Sequence, residues 1–221
     1  MEINRTPRGA GTESAELRHD RRMQSSRLEA FSDGVLAIII TIMVLELKLP
    51  SEGHSFAALW HSTGAGLLTY LLSFVYVGIY WSNHHHLFQV VGSVNGAVLW
   101  ANLHLLFWLS LVPLTQRWLD QSSVARDPTV VYGVNLLGAA VAYFLLQQAI
   151  FRTPSGGNLR QALGRDLKGK LSPLMYVIGI ALAFVVPWAG LVPAVIVALV
   201  WLVPDRRVER YLEQSKVSPG D

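Results

Sequence analysis

Cysteine is absent, which excludes disulfides and thiolate metal sites. Three enzyme signatures are missing as well: the phosphate-cradling P-loop, the GxGxxG dinucleotide fingerprint and the HExxH metal helix. An enzyme is therefore not expected, and no cofactor or metal is called for. Charge is scarce. Charged residues make up 15% of the 221 positions against 52% hydrophobic ones, and the mean hydropathy is +0.37. A soluble domain of this length does not carry several long uncharged apolar runs; a polytopic membrane protein embedded in a lipid bilayer does. The net charge of +3 comes from the tails and one loop, which membrane topology requires, so it does not imply nucleic-acid binding.

The chain divides at its apolar runs. Residues 1–26 are polar, have few large apolar side chains, and are expected to form a disordered cytoplasmic tail. They contain no short apolar stretch followed by a small-residue cleavage site, so a signal peptide is not expected there. Residues 27–204 are expected to hold six transmembrane helices. The first covers residues 28–49, a 22-residue run about 33 Å long at about 1.5 Å per residue. The next three cover about residues 63–82, 94–118 and 129–151. Residues 173–203 are apolar throughout, and Pro187-Trp188-Ala189-Gly190 splits them into a helical hairpin, spans five and six. Residues 205–221 are a second cytoplasmic tail. The fold class is thus an all-α membrane protein.

Basic residues orient the chain. With both termini in the cytoplasm, fifteen of the eighteen Lys and Arg fall on that side, leaving Lys48, Arg117 and Arg126 outside. A single long final helix would instead put Arg206, Arg207 and Arg210 outside, which favours the hairpin.

The first run has two distinct faces. Ile38, Thr41, Ile42 and Leu45 share one stripe at helical spacing, and Asp33 lies about 140° from Ile38 around the same helix. An acid inside a membrane span needs a partner. The topology brings Asp33 to the same side as Trp81, Asn83, His84, His85 and His86, with Asn102 and His104 within reach on the third span. Ser32 and Asp33 are therefore expected to bond to neighbouring helices and lock the first helix in place. The adjacent histidines point about 100° apart on a helix and are poorly placed to share one ion. Glu46, near the outer end, has two readings: it concentrates cations, or it simply meets the solvated interface.

Thr129-Val130-Val131-Tyr132-Gly133 looks like the potassium-channel filter TVGYG. That filter relies on its middle glycine and on inward-turned carbonyls. Val131 replaces the glycine here and no pore helix precedes it, so the stretch reads as the start of span four.

Arg27-Leu28-Glu29-Ala30-Phe31-Ser32-Asp33-Gly34-Val35-Leu36-Ala37-Ile38, continuing to Thr41 and Leu45-Glu46, resembles the signature of the transmembrane protein 175 family of potassium channels. Tyr80-Trp81-Ser82-Asn83-His84-His85-His86-Leu87-Phe88 is also similar to that family, and the likeness covers nearly the whole membrane region. One Phe-Ser-Asp signature per chain resembles the single-repeat bacterial type. The resemblance implies a homotetramer in the bacterial plasma membrane, with helix one of each subunit lining a central pore for potassium ions. It implies a constriction at Ile38, with Thr41 one turn further and Leu45 beyond. It also makes Arg27, Phe31, Ser32 and Asp33 the structural end of the helix.

Such a pore would gate by dewetting at its aliphatic rings, with the Thr41 hydroxyl available to a partly dehydrated cation. The alternatives are a proton-coupled transporter using Asp33 and His104, and a membrane enzyme with a histidine metal centre.

Overall fold

The computed structural model describes residues 10–52, 54–89, 91, 94–153 and 167–202, with side chains from residue 25 onward and that of residue 167 left out. Among these, every regular element is helical. The elements are α1 (Ala10–Leu45), α2 (Phe56–Gln89), α3 (Gly96–Ser110), α4 (Val112–Gln121), α5 (Arg126–Phe151) and α6 (Leu167–Ala183). A 3₁₀ turn at Pro187–Leu191 then leads into α7 (Val192–Leu202).

Four described segments are long and apolar enough to cross a membrane: Ser25–Leu45, Phe56–Gln89, Gly96–Gln121 and Arg126–Phe151. Helix α6 and the shorter apolar segment Pro187–Leu202 make six. The all-α, six-segment fold expected from the sequence is the one observed.

The third span is not one helix. It breaks at Leu111, and Pro113 occupies the first turn of α4, where its missing N–H costs nothing. The chain then reverses into α5 through Ser123 and Val124, both at positive φ. Val124 at 61° is sterically unfavourable for a β-branched side chain, and its N–H is tied to the Leu119 carbonyl at 3.1 Å. Residues 129–133 lie inside α5, and Tyr132 is buried with its hydroxyl 3.0 Å from that of Ser73 on α2.

The final hairpin rests on close backbone contact. A Cβ on Gly179 would sit 2.7 Å from the carbonyl oxygen of Gly190, so only glycine lets α6 meet the 3₁₀ turn at this distance. Residues 203–221 lie outside the described structure, as do residues 154–166 of the basic segment between spans four and five.

One boundary differs from expectation. The described helix starts at Ala10, so residues 10–26 continue α1 where a disordered tail was expected; residues 1–9 lie outside the described structure. The physical reason is propagation. Ala, Glu, Leu, Met and Arg are strong helix formers, and extending a helix already nucleated in the membrane avoids the cost of a new nucleus.

Candidate functional site

The site is organised by the two faces of α1. Ser25, Leu28, Ser32, Leu36, Ile39 and Met43 are buried at spacings of three and four, which makes one stripe that packs on the rest of the bundle. The far side carries Gly34, Ile38, Thr41 and Leu45, all exposed within the protomer. Ile38 is 58% exposed and Leu45 80%. The Thr41 hydroxyl donates back to the carbonyls of Ala37 (3.0 Å) and Ile38 (2.9 Å). Its hydrogen is therefore engaged by the helix, and its oxygen lone pairs remain on the exposed face.

A buried polar chain fixes the N-terminal half of α1. The Ser32 hydroxyl donates to the Leu28 carbonyl at 2.9 Å and accepts from the Asn102 amide at 2.9 Å. The Asn102 carbonyl in turn accepts from Nε2–H of His84 at 2.8 Å. Ser32, Asn102 and His84 are fully buried, so three helices are joined by one hydrogen-bonded line in a medium where unmade bonds are costly. This arrangement sets the His84 tautomer and leaves Nδ1 as a buried acceptor with no partner among the described residues, beside the stacked ring of Phe88 at 4.4 Å.

A second, half-exposed set lies beside it. The Trp81 indole donates to Asp33 Oδ1 at 3.1 Å. His85 Nδ1 lies 2.7 Å from Glu29 Oε1, while its other nitrogen meets Gln89 at 2.7 Å. Trp81 and His85 stack at 6.0 Å. Glu29 is a partner that the sequence reading missed. Its position four residues before Asp33, and so on the same side of α1, was the available signal.

Three residues expected in the network stand outside it. His104 faces outward and accepts from the Trp108 indole at 3.0 Å, its neighbour one turn along α3. It makes no bond to Asp33 or His84, because Asn102, two residues earlier, holds the inward face. Arg27 and Phe31 are exposed and line an open groove of about 600 Å³ with Leu28, Asn95, Leu99 and Leu103. At the other end of α1, Glu46 is held by Arg117 of α4 at 2.9 Å, which neutralises a charge that was otherwise read as free. Among the described residues, no group of three or more metal-ligating side chains converges.

Three comparisons bear on this arrangement. The family model described as "Endosomal/lysosomal potassium channel TMEM175" matches residues 27–113. A protein named as a potassium channel from Chryseobacterium sp. (strain P1-3) is 50% identical over 194 residues, spanning 87% of this chain and 100% of that one. Another so named, from Streptomyces collinus, is 32% identical over 173 residues, spanning 73% of this chain and 84% of its own. The crystal structure of a lysosomal potassium-selective channel TMEM175 homolog from Chamaesiphon minutus superposes with a TM-score of 0.68 at 27% identity. That match covers 82% of this chain and 97% of the other.

Proposed function

This chain belongs to the TMEM175 family of potassium channels, and from that premise we propose that four copies form a potassium-permeable pore lined by α1. The observation that carries this reading is the free stripe of α1. Gly34, Ile38, Thr41 and Leu45 recur at four, three and four residues on the side opposite the buried stripe. Those steps average about 3.7, close to the 3.6-residue helical turn, so the four positions form one continuous stripe that can face a common axis.

In this arrangement Ile38 and Leu45 supply aliphatic rings, and Thr41 supplies a ring of hydroxyl oxygens between them. A narrow apolar ring resists wetting, so ions cross only when it widens or fills with water. At Thr41, lone pairs replace part of the water that a cation sheds. The Ser32–Asn102–His84 line and the Trp81–Asp33 bond hold α1 at a fixed rotation, which keeps this stripe on the axis. Both termini lie in the cytoplasm, as the basic residues favour, and the bacterial relatives support a bacterial plasma membrane as the one the pore crosses. The pore needs no cofactor.

Replacing Ile38 with Asn tests the reading in liposomes or a planar bilayer with potassium on one side and sodium on the other. The wild type is expected to reverse towards the potassium potential. The Ile38→Asn variant is expected to conduct more, with reversal shifted towards zero. Unchanged currents, with Leu174→Asn as a lipid-facing control, would remove α1 from the pore.

A further inference from the structure

Helix α2 turns a line of polar side chains into the protomer. Tyr76, Tyr80 and Asn83 recur at four and three residues and form one wall of a cavity closed by α5, α6 and α7. The cavity measures about 30 Å³, which is room for about two water-sized groups. One end is aromatic: Tyr80 meets Tyr143 edge-on at 5.9 Å, and Tyr76 lies 6.2 Å from Tyr176. The other end lies where α6 begins and α7 finishes. There the Trp201 indole donates to the Ser172 hydroxyl at 2.9 Å. Lys168 Nζ donates to the Val200 carbonyl at 3.2 Å, one residue from Trp201. A lysine and a tryptophan in the terminal turns of two spans mark the level of lipid headgroups.

Two polar atoms on the α2 wall are unused. Tyr80 is 8% exposed, yet its hydroxyl makes no hydrogen bond among the described residues. The Asn83 amide donates to the Ile79 carbonyl at 2.8 Å, which leaves its Oδ1 without a partner among the described residues. An unpaired polar group inside a membrane bundle is costly, so the favoured occupant brings both a donor and an acceptor. A hydroxyl does both. We propose that this cavity binds the phosphoglycerol group of an anionic glycerolipid. The glycerol tip enters the cavity and bonds to the Tyr80 hydroxyl and Asn83 Oδ1, and the phosphate rests against Lys168 at the headgroup level. The site is separate from the exposed stripe of α1 and stands whether or not that stripe lines a pore.

The charge arrangement argues for a neutral polyol inside and an anion outside. No acidic side chain lines the cavity, so a buried ammonium group would stand uncompensated there. Lys168 supplies a cation at the headgroup level, and the exposed Lys170 adds a second two residues on. The room for two water-sized groups matches the two hydroxyls of a glycerol tip. A lipid held in this way joins α2, through Tyr80 and Asn83, to the final hairpin, through Lys168.

The full chain, purified in detergent, is titrated with phosphatidylglycerol, phosphatidic acid and phosphatidylethanolamine, and bound lipid is counted by native mass spectrometry. Phosphatidylglycerol is expected to bind about tenfold tighter than phosphatidic acid, which carries the phosphate without the glycerol tip. Phosphatidylethanolamine is expected to bind weakest. Tyr80→Phe removes a hydroxyl that holds nothing within the described protein, so the unfolding midpoint should persist while phosphatidylglycerol binding falls about fivefold. Ala140→Leu fills the cavity from α5 and should bring phosphatidylglycerol down to the level of phosphatidic acid. Lys168→Gln should weaken both anionic lipids about tenfold. Equal binding of the three lipids, or strongest binding of phosphatidylethanolamine, would overturn the proposal. Wild-type selectivity in both Tyr80→Phe and Ala140→Leu would overturn it as well. Soluble glycerol phosphate identifies the source of the group. Displacement of phosphatidylglycerol by an equal concentration supports the site with free phosphoglycerol as its ligand, and no displacement supports it with the lipid.

Discussion

Asn102 and Ser32 lie seventy positions apart and meet at 2.9 Å, with the Asn102 amide donating to the Ser32 hydroxyl. The contact ties the pore-helix candidate to α3 from its buried side, and His84 completes the line from α2. Packing in a membrane gains little from hydrophobic burial, because lipid tails are as apolar as leucine. Directional bonds at one level of the bundle therefore set the rotation of α1.

Removing the central member tests this. Asn102→Leu keeps the volume but strands the Nε2–H of His84 and weakens the environment of Ser32. A buried unsatisfied donor costs about 1–3 kcal/mol. The expected result is a lower thermal unfolding midpoint in detergent together with reduced conductance. Wild-type stability and current in this variant would show that the line does not position α1.

In the proposed pore, Thr41 serves the ion and not the helix. Thr41→Val keeps the β-branched shape and loses only a hydroxyl whose hydrogen already bonds within the turn. Folding should be unchanged, with the cost of the lost local bonds below about 1 kcal/mol. The ratio of potassium to sodium permeability, read from the reversal potential, is expected to fall. An unaltered ratio would place the hydroxyl away from the permeating ion.

The C-terminal end of α1 offers an electrostatic test. Arg117→Ala releases Glu46 from its 2.9 Å ion pair and restores a negative charge one residue beyond Leu45. Inward conductance should rise at low ionic strength, and the difference should vanish as salt shortens the screening length to about 3 Å near 1 M. Glu46→Gln in the same background should abolish the gain.

Gly179 reports on the final hairpin. An alanine there would place its Cβ 2.7 Å from the Gly190 carbonyl oxygen, which is backbone and yields only by displacing the 3₁₀ turn. Overpacking of this kind costs about 1–3 kcal/mol. The expected outcome is a lower unfolding midpoint, with the potassium-to-sodium permeability ratio unchanged because the hairpin lies away from α1.

Periodicity along single segments was legible in the sequence because it depends on neighbours a few residues apart. Uninterrupted apolar length marked the spans, and 3.6-residue spacing put Ile38, Thr41 and Leu45 on one stripe of α1. Pro187 to Gly190 marked the hairpin, since proline and glycine restrict or free the backbone whatever surrounds them. Partner choice was a different matter. Asn102 and His104 sit two residues apart in the same apolar run, yet one is fully buried between helices and the other faces outward on Trp108. Glu29 and Asp33 were both within reach of α2, but only packing gave His85 to the first and Trp81 to the second. Glu46 looked free until α4 brought Arg117 beside it. The sequence by itself determined the class, the spans and the faces of α1. The tertiary structure alone decided which polar groups meet, because a hydrogen bond between distant positions depends on relative helix rotation and depth, and no local pattern encodes either.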